Sequence, residues 1–254
     1  MSVVAVCTAG GSTGSTTTAL LLAAMAPADR AAMLVECDPD GGDVAAWAEL
    51  SASKGWSSAV SATDRSWSGL VGHSQELPGL TVVVSPTRPS QARSAVREAA
   101  SGFAGLLAGM PDVLAVADCS SVTLEVPAWA SPAQLTLLLV RQVPGSAPAT
   151  VARVDRAMEA VEVLRGGCGQ VGVVLIGGAP YSARDVSAAL GVELFGVLPE
   201  DAPGAGLVCG GWTLGRRATR SPLARGAASL AGRVVEVVYG RQDLRSRPVS
   251  EVAR

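Results

Sequence analysis

A single α/β domain, a mostly parallel sheet with helices on both faces, is the fold this sequence predicts, and three observations predict it. Short apolar runs alternate with longer helix-like ones from end to end, the pattern of strand–helix–strand units. The short runs are continuously apolar and partly β-branched, as in strands buried on both faces. The connections are of ordinary length, and 254 residues with 48% hydrophobic and 17% charged side chains suffice for one large core. The domain is expected to span residues 1–239, with 240–254 a polar, charged, frayed tail.

Each element has its own warrant. Val3 to Cys7 reads as a buried strand, and Thr16 to Ala26 as a helix whose Ser/Thr-rich start suits capping and which Pro27 closes. Ala32 to Glu36 is a second strand, and Val44 to Leu50 a short helix. Ser51 to Leu77 has no clear period; its Trp56 and Trp67 are expected to pack helices rather than stack a ligand. Leu80 to Val84 is strand-like, Gln91 to Leu107 helical, and Val113 to Ala117 a strand that ends in Asp118. Gln134 to Val140 is a strand, Thr150 to Leu164 an amphipathic helix, and Val171 to Ile176 a strand stopped by Gly177 and Gly178. Ala183 to Leu190 is a helix, Leu194 to Leu198 a strand, Pro199 to Gly204 a turn-rich loop, and Pro222 to Tyr239 the last helix.

Composition excludes several function classes. A net charge of -2 gives no global attraction to nucleic acid or to an anionic membrane, so any such contact must be local. The five cysteines are odd in number and form no C-x-x-C pair, which points to free thiols in a reducing compartment. His73 is the sole histidine and is expected at the surface or near a helix end rather than on a metal. The apolar start lacks a basic leader region and is cut by glycines. No apolar run reaches the roughly 18 to 20 residues of a spanning helix. A cytoplasmic location is the expectation.

The chain turns on Ala9-Gly10-Gly11-Ser12-Thr13-Gly14-Ser15-Thr16-Thr17, between the first strand and the first helix. Against the phosphate-cradling template G-x-x-x-x-G-K-S/T it keeps Gly14 and Thr16, with Ala9 at the first glycine and Ser15 at the lysine. The only lysine in the sequence is Lys54. Such a loop can offer backbone N–H groups and a helix N-terminus to a phosphate, and Thr16 a hydroxyl to Mg²⁺. In an open parallel sheet, ligands bind beyond the carboxyl ends of the strands. Two acidic features fall there as well: the cluster from Glu36 to Asp43, and Asp118. Asp38 and Asp118 would complete the surroundings of the metal or orient a water.

These residues, in this order, resemble the ParA/MinD-like ATPases, whose loop is close to K-G-G-x-G-K-S/T-S/T and whose later strands end in D-x-D-P and in Asp. Here the corresponding stretches are Gly10 to Thr17, Glu36-Cys37-Asp38-Pro39, and Val113 to Asp118. Gly11 to Ala19 and Asp38 to Asp43 look especially like an actinobacterial branch with a G-S-P-G-V-T-T-T-A loop and D-P-x-G-G-D. The resemblance covers roughly Val3 to Val238 and implies a P-loop NTPase-like fold. It further implies ATP held by Gly11, Ser12, Thr13, Gly14, Ser15, Thr16 and Thr17, with Pro199 and Asp201 near the base. Mg²⁺ would sit on Thr16 and Asp118, and Asp38 would position the attacking water. The family's function implies a homodimer and a protein partner in a chromosome, division or secretion assembly.

The departures carry equal information. Gly10 stands where the family's signature lysine reaches across the dimer, Ser15 where the phosphate-binding lysine sits, and Glu36 replaces the first Asp of D-x-D-P. A lost charge-assisted hydrogen bond costs about 1.5–3 kcal/mol, and a lost transition-state stabiliser about 10² to 10³ in rate. Efficient hydrolysis by the family's mechanism is therefore not expected, while weak binding through amides and Thr16 is. Two readings follow: a nucleotide switch, or a nucleotide-independent scaffold for other proteins. A dinucleotide enzyme fits neither the glycine spacing nor the acids. Arg216, Arg217, Arg220 and Arg225 are solvated surface charges, a local nucleic-acid patch, or a replacement phosphate cation. Arg241, Arg245 and Arg247 lack the bulky apolar neighbours of a lipid-binding helix, so no membrane anchor is expected.

Overall fold

A computed structural model describes residues 3–10, 13–110, 112–210 and 220–240, together with the backbone but not the side chain of Ser120. Gly11, Ser12, Arg216, Arg217 and the tail from 241 lie outside the described residues. In chain order the elements are β1 (Val3–Thr8), α1 (Ser15–Ala24), β2 (Ala31–Cys37), α2 (Val44–Trp47), α3 (Trp56–Ser61) and α4 (Trp67–His73). There follow β3 (Gln75–Leu77), β4 (Leu80–Val83), α5 (Pro89–Gly109), β5 (Val113–Ser121), β6 (Leu135–Arg141) and α6 (Ala147–Arg165). The chain finishes with β7 (Gln170–Ile176), α7 (Ala183–Leu190), β8 (Glu193–Leu198), α8 (Ala202–Cys209) and α9 (Pro222–Tyr239).

All strands pair in one sheet ordered β3-β4-β2-β5-β1-β6-β7-β8, parallel except for the antiparallel β3–β4 pair. β1 lies between β5 and β6. The chain winds outward from β1 first through β2 and later, in the other direction, through β6. The loop after β1 therefore sits at the point where strand order reverses, where open sheets of this kind form their ligand crevice.

Two cores follow from burial on both faces. On one, Ala5, Cys7, Val35 and Ala117 pack against α3, α4, α5, α6 and α7; Trp56, Trp129 and Phe103 fill the middle, with ring centroids 5.3 and 5.7 Å from Trp56. On the other, Val4, Val6, Leu34 and Val116 pack against α1, α2, α8 and α9. α1 is covered on nearly every side, with Leu20, Leu21 and Leu22 at most 1% exposed, which explains why its sequence shows no apolar stripe. Each of those leucines stabilises the fold by about 1.5–3 kcal/mol. Trp56 is a core residue and Trp67 packs partly buried against the same cluster, as expected for helix-packing side chains; Trp129 is buried beside them.

The differences from the sequence expectations have local causes. The Ser/Thr-rich start of α1 supplies no side-chain cap; the N-cap is Gly14, left-handed at φ 81°, ψ 36°. Asp118 lies inside β5, because the strand continues to Ser121, where Thr8 and Ser121 hydroxyls pair at 2.9 Å. The stretch from 199 to 204 opens a helix, α8, whose N-cap Asp201 accepts from the Gly204 N–H at 2.9 Å. Asp followed by Pro in the first turn is a helix-start signal. His73 ends α4 half-buried, its Nδ1 2.9 Å from Ser58 Oγ. Cys7, Cys37 and Cys119 are buried thiols.

Candidate functional site

The site is built where β1 hands over to α1. Only glycine holds the left-handed backbone of Gly14 without strain, and the space beside its Cα is open. Its carbonyl accepts the Thr18 N–H at 2.9 Å, so the first turn of α1 starts here and aims its N–H groups outward. Facing it is the loop after β8, fixed by Asp201, whose carboxylate caps α8 and also accepts the Leu223 N–H at 3.1 Å. Between them opens a cleft of about 480 Å³, lined by Thr13, Gly14 and Thr17 on one side and by Pro199, Glu200 and Asp201 on the other. Both walls carry residues the sequence marks as site candidates, Thr13, Gly14 and Thr17 on one and Pro199 and Asp201 on the other; the cleft also holds Arg141, which the sequence does not mark, from the end of β6 and paired with Glu200 at 2.7 Å. Nothing local in the sequence marks that arginine, because its place depends on β6 lying beside β1.

Two acids stand at the same level on neighbouring strands, Glu36 on β2 opposite Asp118 on β5. Glu36 is buried and accepts three backbone N–H groups, from Asp43 at 2.8 Å, Val44 at 2.9 Å and Ser85 at 3.0 Å. A side chain on Gly42 would strike this carboxylate, its Cβ falling 2.5 Å from Oε2. Burial raises the pKa of Glu36 to about 7, against the pull of those N–H groups. The glutamate at the family's first Asp position thus holds the loop to α2 against the end of β4.

Asp118 is treated differently. Burial pushes its carboxyl well above the ordinary aspartate range, opposed by a hydrogen bond from Thr16 and reinforced by the charges of Glu36, Asp38 and Asp43. Its Oδ1 is buried with no partner, and so is Thr13 Oγ1. Unpartnered buried oxygens are rare and costly. The structure thus joins Thr16 to Asp118, the pair expected at Mg²⁺, and hydroxyl and carboxylate oxygens are the donors that ion takes. The residues fit the metal. Asp38 lies on the loop after β2, half-buried, with Oδ1 accepting the Asp40 N–H at 2.7 Å; burial raises its pKa too. Asp40 in turn pairs with Arg93 at 2.9 Å on the surface. Thr17 is turned to Cys209, Oγ1 to Sγ 3.3 Å, and ties α1 to α8.

The remaining sequence candidates divide. Arg220 and Arg225 are exposed at the start of α9, the Arg225 guanidinium donating to the Arg220 carbonyl. Ser15 begins α1 half-buried. No group of three or more His, Cys, Asp and Glu side chains placed to hold a metal ion occurs among the described residues. Among those residues no helix is long and apolar enough to cross a membrane.

No protein-family model matches the sequence, and no curated protein matches it closely enough to count as a relative. Solved structures do match. A ParA family ATPase from Chlorobium tepidum superposes with a TM-score of 0.71 at 16% identity, over 91% of this chain and 97% of its own. The fold is that of the ParA/MinD ATPases. The cell division ATPase MinD of Pyrococcus furiosus gives 0.72 at 17% identity, over 93% and 99% of the two chains. The septum site-determining protein MinD of Pyrococcus horikoshii, solved with Mg-ADP, gives 0.67 at 17%, over 93% and 97%. The ParA/MinD-like likeness thus covers nearly the full length of each.

Proposed function

We propose that this ParA/MinD-like chain binds an adenine nucleotide weakly, hydrolyses it slowly or not at all, and acts in intracellular positioning or partitioning with a protein partner. The observation that carries the binding half is the buried, unpartnered Thr13 Oγ1 in the wall of the cleft, together with the unpartnered Oδ1 of Asp118, whose carboxylate accepts from Thr16 of the same loop. ATP and Mg²⁺ are the ligands this implies, and the Mg-ADP seen in the Pyrococcus horikoshii MinD supports the choice. Bound there, Mg²⁺ supplies a positive centre for phosphate oxygens. Thr13 to Thr17 give amides and hydroxyls to the phosphates, Thr16 and Asp118 hold the metal, and the backbone at Pro199 and Asp201 flanks the base. The Asp201 carboxylate is occupied by two N–H groups, so its part is to shape that wall. Asp38 orients water.

The slow half rests on the lysines. With Ser15 in the loop and Lys54 the only lysine of the chain, neither cation of the family's loop is present as lysine. Titration calorimetry with Mg-ATP tests the reading. Weak saturable binding that Thr16→Ala abolishes and Ser15→Lys tightens is the expected result. Tight binding with ready turnover overturns the slow half; no binding at any concentration overturns the nucleotide and leaves a scaffold that works through protein contacts alone.

A further inference from the structure

Cations do stand near the loop, on the neighbouring strand and helix. β6 runs beside β1 with Thr8 opposite Leu139, so Arg141, two residues on, stands beside the loop that leaves β1. α6 packs on the same strand, and its Arg153 and Arg156, three residues apart, share one side of the helix. A small recess gathers Ala9, Gly10, Thr13, Arg141, Arg153 and Arg156. Gly10 is the position of the family's signature lysine, and Thr13 also lines the larger cleft. The Thr13 side chain is the second observation: at 8% exposure its hydroxyl has no partner, in a place overlooked by guanidinium groups.

We propose that Arg141, Arg153 and Arg156 form the cation set for the phosphate tail of the nucleotide, doing from β6 and α6 what the loop lysines do elsewhere. The inference rests on the nucleotide reading above and adds which residues carry the charge. Arginine suits the task, since its planar fork meets two phosphate oxygens at once and stays charged at any physiological pH. Two of the three are tied together: Arg153 Nη1 donates to the Arg141 carbonyl at 3.3 Å, and Arg141 in turn holds Glu200 at 2.7 Å. Glu200 keeps an anion against Arg141 in the free protein. An arriving phosphate competes for that guanidinium, so occupation of the tail site is coupled to the loop that walls the base.

The test uses the full chain in titration calorimetry with Mg-ATP, inorganic tripolyphosphate and adenosine. Arg156 is exposed, so Arg156→Gln spares the fold; it is expected to weaken ATP and tripolyphosphate about threefold, and Arg153→Gln/Arg156→Gln about tenfold or more, with adenosine unchanged. Arg156→Lys restores part of the loss, and Arg225→Gln, at the other exposed cluster, changes nothing. Unaltered ATP affinity in the double variant overturns the arginine set and leaves the nucleotide reading standing. Equal weakening of adenosine, or an equal effect of Arg225→Gln, overturns it too, as a structural or general charge effect. If the wild type binds neither ATP nor tripolyphosphate, both readings fall together.

Discussion

Glu36 and Asp118 are register neighbours on β2 and β5, both at most 3% exposed, and the fold satisfies one while leaving the other open. Three backbone N–H groups, of Asp43, Val44 and Ser85, converge on Glu36, which closes the loop from β2 to α2 onto the end of β4. Asp118 receives a hydroxyl from Thr16 and keeps an oxygen with no partner. A carboxylate saturated by its own chain serves the fold. One that is buried and incompletely satisfied costs stability until something arrives, which is the mark of a ligand position.

The contrast can be broken by mutation. Glu36→Ala strands three backbone N–H groups, those of Val44 and Ser85 buried, and is expected to cost about 3–5 kcal/mol in urea unfolding; a loss below about 1 kcal/mol would remove the structural role assigned to it. Titration sharpens the same point. Because the folded-state pKa of Glu36, about 7, lies above its ordinary 4.5, the folded protein binds more protons between those values. The Glu36 contribution to stability is therefore greatest below pH 4.5 and is lost as pH rises through 7, on the order of 3 kcal/mol in all. Glu36→Gln, which cannot titrate, should flatten that part of the pH–stability curve measured by thermal unfolding.

Smaller effects separate the site's supports from its ligand groups. Asp201→Ala removes the cap of α8 and the partner of Leu223, a loss of about 2 kcal/mol by chemical denaturation. Asp118→Asn should leave the ligand-free stability within about 1 kcal/mol of wild type while removing the Mg²⁺ dependence of ATP binding in calorimetry. If instead it destabilises as Glu36→Ala does, the two acids are alike and the comparison fails.

Much of this was legible in the sequence because parallel strands buried on both faces write themselves as apolar runs, and the loop and acids follow those runs in order. The stretch from Pro199 to Gly204 reads as a turn-rich loop because of its two prolines and its glycine, and the helix α8 that Asp201 caps shows only once the aspartate is recognised as an N-cap. Gly14 matches the second glycine of the phosphate template, while its left-handed N-cap, with no Ser or Thr side chain assisting, is visible only in the backbone. Arg141, Arg153 and Arg156 could not have been found at all. No local pattern marks them, and their meeting with Gly10 and Thr13 depends on strand order, which periodicity does not encode.

The rims of the sheet bear on how copies of this protein can meet. At one rim β3 is three residues long and antiparallel, with the Glu76 carboxylate bonded to Thr81. At the other, β8 pairs with β7 through an irregular register and carries Glu193, held by Arg233 at 2.7 Å. Short, charged and irregular margins resist the lateral addition of further strands. Self-association by extending the sheet into a fibre is thereby disfavoured, and contact between copies is steered to the helical faces and to the loops at the carboxyl ends of the strands.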